Sequence, residues 1–297
     1  SSCLVNPSAG REFMWGGDRL EPAAEPRRVL VIGGGPAGLE SARVASARGH
    51  FVTLVESQSE LGGQFRLAGQ QPTRSQILEN LAWYERQLAD VDVRLGTEFS
   101  AHDVAVFGAD EVVIAVGASP ARTGFQRALP LVDSLDGVER ALAVHDVLDG
   151  SAVPSGRVVV LDDTGDWRGI GTAMYLQDLG CDVTIVTAHS VVAAGLFHSA
   201  ADVPARKRFV RDGGVMLTHR VVTEYANGAV SVQSTFTGES QQIPADALVV
   251  AETAVARTGL AAELAAMGID FHQIGDCVAP RRASLAFYEG RKLGLEL

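Results

Sequence analysis

The chain alternates short, almost purely apolar runs with longer segments whose apolar residues recur every three or four positions. Residues 29–32 and 51–55 are runs of the first kind, and residues 39–46 between them carry the helical spacing, with Gly49 available to end it. Short apolar runs without polar alternation read as strands covered on both faces, which points to a parallel sheet. The same strand, helix, strand pattern returns over 158–161, 169–179 and 183–186, so Val158 stands 129 residues after Val29 in an equivalent place. Between these units, residues 61–72 read as a polar, glycine-rich loop. Thr73 and Gln76 read as a capping box before a helix on which Ile77, Leu81, Tyr84 and Leu88 share a face. Residues 91–95 and 111–116 read as further strands. In the second half, 204–212 is helical and stops at Gly213-Gly214, 230–236 alternates as a strand, and 247–251 closes the unit. The stretch 271–297 reads as a strand over IGDCVAP followed by an amphipathic helix. It should return to the first sheet, because an inserted second unit leaves that sheet without its last strand.

The fold expected is therefore α/β, with two Rossmann-like dinucleotide-binding domains, the second inserted in the first in a glutathione-reductase-like arrangement. Residues 1–26, with little periodicity and the stretch EPAAEP, read as an extended connector. Residues 27–120 plus 268–297 form the first domain in this reading, and 121–267 the second.

The first unit carries candidate chemistry. After the strand come Gly33, Gly35 and Gly38 in GxGxxG spacing, with Pro36 and Ala37 opening the helix. The first glycine permits the tight turn, the second lets backbone approach a pyrophosphate, and the third lets helix and strand pack closely. The helix N-terminus points unpaired N–H groups at the phosphates. Glu56, 21 residues beyond Gly35, ends the second strand where an acid accepts from adenosine ribose hydroxyls, and Ser57 follows it. Ala115 and Gly117 lie at the carboxyl end of another strand, where doubly wound sheets hold ligands.

Composition narrows the partners. The 297 residues suffice for about two domains. No apolar run reaches the roughly 18 residues of a membrane span, and no charged-then-apolar signal pattern opens the chain, so a cytoplasmic protein is expected, with no membrane partner. A formal charge of −11 argues against nucleic acid. Cys3, Cys181 and Cys277 form no CxxC, and the 7 histidines make no HxxH or HExxH pair. Self-association is left open.

The second unit departs from the fingerprint. Asp162, Asp163 and Asp166 occupy the turn that should receive a pyrophosphate. A carboxylate about 5 Å from a phosphate charge costs on the order of 3 kcal/mol at an effective dielectric near 20. That outweighs the roughly 0.3–1 kcal/mol returned by a helix terminus. The expectation is an absent or degenerate nicotinamide site; the competing reading is that Arg168 offsets one aspartate and some nucleotide still binds.

The motifs CLVNPSAGRE, VLVIGGGPAGLE, LGGQF, VVIAVGASP, VVVLDDTGDWRGIG and IGDCVAPR, in this order, resemble the C-terminal portion of the trimethylamine dehydrogenase and 2,4-dienoyl-CoA reductase family. The acidic DDTGDWRG turn resembles the amine dehydrogenase and N-methyl amino-acid demethylase branch, whereas LGGQF resembles the reductase branch. The resemblance implies FAD, or ADP in its place, in the first fold, with Gly63 and Gln64 at the flavin end and Gly275 and Asp276 near the pyrophosphate or ribityl region. It implies an upstream barrel with FMN and a [4Fe–4S] cluster, of which Cys3 matches the last cysteine ligand. The sequence then reads as a fragment or one subunit of a larger oxidoreductase, with no catalytic residue of its own. Its implied partners are the FMN-barrel portion and an electron acceptor such as an electron-transferring flavoprotein. A structural module stapled by ADP is the alternative, and an NAD(P)H-dependent FAD reductase is disfavoured by Asp162, Asp163 and Asp166.

Overall fold

The computed structural model describes residues 3–16 and 20–297. Residues 1–2 and 17–19 of the expected connector lie outside the described residues. In chain order the first elements are α1 (Glu12–Trp15), β1 (Arg28–Ile32), α2 (Pro36–Ala47), β2 (Phe51–Val55), α3 (Gly63–Gln70), α4 (Gln76–Gln87), β3 (Asp92–Arg94), α5 (Ala101–Phe107), β4 (Glu111–Ile114) and β5 (Ala118–Ser119). Then come β6 (Leu142–Ala143), α6 (Val144–Leu148), β7 (Arg157–Asp162), α7 (Trp167–Asp178), β8 (Asp182–Val186), α8 (Asp202–Arg211), β9 (Val215–Leu217), β10 (Arg220–Ala226), β11 (Ala229–Ser234), β12 (Ser240–Pro244) and β13 (Ala247–Ala251). The chain finishes with β14 (Val255–Ala256), α9 (Gly259–Ala266), β15 (His272–Gln273) and α10 (Ala283–Glu296).

Two compact units result. The first takes the chain up to Arg66, then Gln76–Ser119 and Val255–Leu297; the second takes Leu67–Ser75 and Pro120–Ala254. Each holds a five-stranded parallel sheet, in the orders β15-β4-β1-β2-β3 and β6-β13-β7-β8-β9. The apolar runs are central strands: Val29, Leu30 and Val31 in one sheet and Val159, Val160 and Leu161 in the other are at most 1% exposed. β10, β11 and β12 form a separate antiparallel sheet of three strands in the second unit.

Several local expectations change. Residues 61–72 are not a loop throughout, since α3 occupies most of them. Thr73 adopts φ +67 and α4 begins at Gln76, so the capping box on those two residues does not form. The stretch IGDCVAP is not a strand. β15 ends at Gln273 beside β4, and a tight helical turn over Gly275–Cys277 follows it. The crossing back into the first unit lies earlier than position 268. Residues 255–256 already pair antiparallel with 118–119, and Ala261 and Leu264 of α9 pack with Leu30, Ile114 and Cys277. Residues 67–75 belong to the second unit because the Gln71 amide donates to the Trp167 carbonyl (2.9 Å) and to the Thr172 hydroxyl (3.3 Å).

The N-terminal stretch is more than a connector. Ser8 is 3% exposed and accepts from Arg291 Nη2 (3.0 Å), while Tyr288 stacks against Trp15 (5.3 Å between centroids) and under the Arg11 guanidinium (4.5 Å). Arg291 also meets Glu40 (3.1 Å), which takes a bidentate pair from Arg43 and the Tyr84 hydroxyl (2.8 Å). Burial, and then the Glu40 carboxylate, push the Tyr84 hydroxyl far up from its ordinary pKa.

Candidate functional site

The turn between β1 and α2 is shaped by what each glycine faces. At Gly33, φ is +107 and a Cβ would lie 2.4 Å from the Ala115 carbonyl oxygen; at Gly38 it would lie 1.9 Å from the Gly33 oxygen. Both positions are closed to a side chain by backbone. Gly35 is different. It caps α2 with φ −78, and a Cβ there would meet no protein atom within 4 Å. The fold does not require glycine at this point. Gly35 also offers no side chain to the helix end, so no side-chain cap takes up the first N–H groups of α2. Pro36 opens the helix, lacking only an N–H that has no intrahelical acceptor.

Glu56 follows β2 beside this turn. It is 8% exposed and accepts from Gly34 N–H (2.7 Å) through Oε2, and from Gln58 N–H (2.8 Å) and the Ser57 hydroxyl (3.1 Å) through Oε1. These bonds fix the carboxylate, and its two oxygens, with about four lone-pair sites, retain capacity for hydroxyl donors. Other expected residues gather at the same turn. A Cβ on Gly63 would sit 3.8 Å from Gly35 Cα, and one on Gly275, at φ +76, would sit 2.8 Å from Ala37 Cβ. Ala115 N–H donates to Ile32 (2.8 Å), Gly117 accepts from Arg257 N–H (3.1 Å), and Gln64 donates to the Ala118 carbonyl (2.9 Å). Asp276 is set one step outward, accepting from Arg281 N–H (3.1 Å).

Three contributors were not read from the sequence. Gly34 supplies the N–H that orients Glu56, Gly62 donates to the Gly34 carbonyl (2.8 Å), and Glu289 accepts from Gly275 N–H (2.7 Å). The middle glycine of GGG and the paired glycines of LGG were the available signal; Glu289, on α10, had none.

The turn between β7 and α7 has the opposite character. Asp166 caps α7 and its carboxylate accepts from Arg168 N–H (2.8 Å) and from the Thr164 hydroxyl (3.0 Å). Asp162 accepts from Gly165 N–H (2.8 Å) and fills the approach to Gly169, where a Cβ would lie 2.2 Å from its carboxyl carbon. Burial, the largest effect, raises the Asp162 carboxyl to about 6. His189 Nε2 lies 3.2 Å from the Asp163 carbonyl and 3.1 Å from where a Gly165 Cβ would be. Arg74 lies 4.8 Å over the Trp167 ring, and burial lowers its guanidinium to about 10 against the opposing pull of Asp166. The first helix end is open, and the second is capped by its own chain.

Cys3 is exposed. Cys181 Sγ donates to the Pro154 carbonyl (3.3 Å) and Cys277 Sγ to the Ile274 carbonyl (3.0 Å). Burial raises both thiols. Among the described residues no group of three or more His, Cys, Asp or Glu could hold a metal, so the ligands present in this chain do not fit a four-thiolate cluster. Among the described residues no helix is long and apolar enough to cross a membrane.

Two parallel five-stranded sheets, each with a strand-turn-helix at its centre, define a glutathione-reductase-like pair of Rossmann-type domains. Residues 27–281 match the model of the pyridine nucleotide-disulphide oxidoreductase family, and the chain belongs to that family. It is 31% identical to the N,N-dimethylglycine/sarcosine dehydrogenase of Chromohalobacter salexigens, over 98% of this chain and 47% of that protein. The 6-hydroxypseudooxynicotine amine oxidase of Pseudomonas geniculata N1 superposes with a TM-score of 0.92 at 29% identity, covering 99% of this chain and 46% of that one. Histamine dehydrogenase of Rhizobium sp. 4-9 gives 0.92 at 27% identity, covering 100% and 48%. The chain thus spans about half the length of these relatives, and corresponds to the C-terminal nucleotide-fold part of flavoproteins of the trimethylamine dehydrogenase and dienoyl-CoA reductase type.

Proposed function

We propose that the chain is the nucleotide-holding, electron-transfer portion of a flavoprotein oxidoreductase that oxidises or N-demethylates amines, with FAD in the turn of Gly33, Gly35 and Gly38. The carrying observation is the contrast between the two helix ends, open at Gly35 and self-capped at Asp166. The names of the relatives support amines as the substrate class, and the FMN barrel, the [4Fe–4S] cluster with Cys3 as one ligand, and a protein electron acceptor belong to the same proposal.

FAD, when bound, supplies a ring that takes up and releases electrons. The residues of this chain hold it. The first N–H groups of α2 would face its pyrophosphate, Gly35 would admit the close approach, and Glu56 would accept from the ribose hydroxyls. Gly63 and Gly275 keep the flanks of the turn free of side chains. The second unit then serves as a packed body with no nicotinamide nucleotide of its own.

One observation favours a second reading, in which ADP occupies the site as a structural ligand. Gln64, assigned to the flavin end, spends its amide on the Ala118 carbonyl. A visible spectrum of the purified full chain and chromatography of the nucleotide released by heating decide between them. FAD is the expected product; ADP moves the function to the structural reading, and neither nucleotide removes the site. Stoichiometric bleaching of a bound flavin by NADH or NADPH would overturn the account of the second turn.

A further inference from the structure

The second sheet contains a reversal of strand order. β7 has β8 on one side and β13 on the other, and in such sheets a ligand sits in the crevice beyond the carboxyl ends of the two strands flanking the reversal. Here residues 123–127 are bonded to the acids that follow β13 and β7. The acid that follows β13, Glu252, accepts from the N–H groups of Thr123 (2.9 Å), Gly124 (3.2 Å) and Phe125 (3.1 Å) and from the Thr123 hydroxyl (2.8 Å). Asp163, just beyond β7, accepts from Arg127 N–H (2.8 Å) and Nε (3.0 Å), and its carbonyl accepts from Arg127 Nη2. Gln126, between the two anchors and 6% exposed, exchanges both amide bonds with Val222, at 2.7 and 2.8 Å.

Consecutive N–H groups converging on one anion make the kind of concavity that binds phosphate in other proteins. In this unit the anion is Glu252, a carboxylate 8% exposed and supplied from inside the crevice. Asp163, equally buried, orients the Arg127 side chain across the end of β7. Both anchors stand at the strand ends that would contact a ligand, and both are spent on the chain itself.

We infer that residues 123–127 are a built-in occupant of the second crevice, and that Glu252 and Asp163 hold it shut against the nicotinamide half of a dinucleotide. The capped helix at Asp166 concerns the pyrophosphate half; this closure shares the turn after β7 through Asp163 and adds a second anchor at Glu252, just beyond β13. The inference rests on reading the second unit as a dinucleotide-type fold without a nicotinamide nucleotide. For a nicotinamide ring to enter, the segment has to leave, which strips Glu252 of its backbone donors and Asp163 of Arg127. A single replacement in the acidic turn therefore does not restore nucleotide binding.

The test uses the full chain. Amide hydrogen exchange at residues 123–125 is compared in wild type, Glu252→Ala and Glu252→Gln, with the amides of β7 and β13 as the internal standard for folding. Glu252→Ala is expected to exchange there at least about tenfold faster while both strands stay protected; Glu252→Gln, keeping one acceptor oxygen, falls between. Reduced nicotinamide mononucleotide, which lacks the adenylate half, is the binding probe. Wild type gives no saturable fluorescence change with it, and Glu252→Ala/Arg127→Ala does. Unchanged exchange in Glu252→Ala, saturable binding by wild type, or a double variant that stays blind to the probe overturns the inference. Should Glu252→Ala not fold, Glu252→Gln/Arg127→Ala, which keeps one acceptor oxygen at 252 and removes a side chain that is 59% exposed, carries the exchange and probe measurements with the same expected direction. Absence of a released adenine nucleotide is read separately, so failure of the first-turn assignment is not confused with failure of this one.

Discussion

Gly35 and Gly38 stand three residues apart and carry opposite expectations. Gly38→Ala drives a Cβ to within 1.9 Å of the Gly33 oxygen, and overpacking against backbone costs about 1–3 kcal/mol or more. Gly35→Ala meets no protein atom at a backbone angle alanine adopts freely. Urea unfolding should therefore show Gly38→Ala destabilised and Gly35→Ala near wild type, while the nucleotide carried through purification falls in both. A Gly35→Ala protein that retains its nucleotide would remove the phosphate from that space. Glu56→Ala should also lower retention, by about tenfold in affinity if two ribose hydrogen bonds are lost.

Asp162 supplies a pH signature. Its folded carboxyl sits at about 6, against 3.8 in the unfolded chain. Between those values the folded state keeps a proton that the unfolded chain has released. Its contribution is thus complete below about pH 4 and is lost as pH rises through about 6. Asp162→Asn, which keeps an oxygen for the Gly165 N–H, should flatten this limb and gain up to about 3 kcal/mol at pH 7 relative to wild type. Urea midpoints at pH 4, 6 and 8 check it. His50 acts in the opposite sense. It accepts from Arg27 N–H (3.1 Å), and burial, then Arg48 and Arg27, lower it from 6.5, so its contribution is present above pH 6.5 and fades as pH falls. A histidine titration followed by NMR should place its midpoint below 6.5.

At the scale of elements, α2 is held by α10. A Cβ on Gly290 would lie 2.3 Å from the Ala37 carbonyl oxygen, and one on Gly294 would lie 2.7 Å from Val44 Cβ. Gly290→Ala should push the helices apart, lower the melting temperature by several degrees and weaken nucleotide retention, because Ala37 lies in the first turn of α2. Gly259→Ala, with no atom near its Cβ, is the matched control and should change neither. Which elements could be read from sequence follows from how they are stabilised. β1, α2, β2 and their counterparts β7, α7, β8 were visible because each buries an unbroken apolar run or stripe. The helix α3 was hidden, since Gly63 and Gly69 lower its propensity and its position is set by bonds such as Arg66 Nε to the Leu61 carbonyl (2.7 Å). Thr73 looks like a cap by type and spacing, but it adopts φ +67 within a segment, 67–75, that belongs to the second unit. In IGDCVAP the apolar residues serve a tight turn: Ile274 donates to Ile114, and Cys277 faces the core. Glu56 and the glycine spacing were legible because they are local in sequence. The closing contacts of Glu252 with Thr123 and of Arg127 with Asp163 join residues 129 and 36 positions apart, and no short pattern encodes them.

For the whole molecule, the shared order of four strands, β4-β1-β2-β3 and β13-β7-β8-β9, recovers the repeat seen between Val29 and Val158, and the first sheet is completed only by β15, close to the end of the chain. Because the open cap lies in one unit alone, ADP at 100 times its dissociation constant should stabilise that unit by about 2.7 kcal/mol and leave the other unchanged. Scanning calorimetry with and without ADP should show one transition moving and one fixed. A shift of both would mean that the units unfold together.

The bond from Arg291 to Ser8 bears on how this fold travels between proteins. The hydrophobic pattern suggests a module starting at Arg27, and a gene fusion or transplant designed on that pattern would cut there. Such a cut discards the hydroxyl that a guanidinium only 2% exposed donates to, and the Trp15 ring stacked on Tyr288. The portable unit begins before residue 8, and its leading segment is inherited with the nucleotide turn or the buried ionic group behind α2 is opened to water.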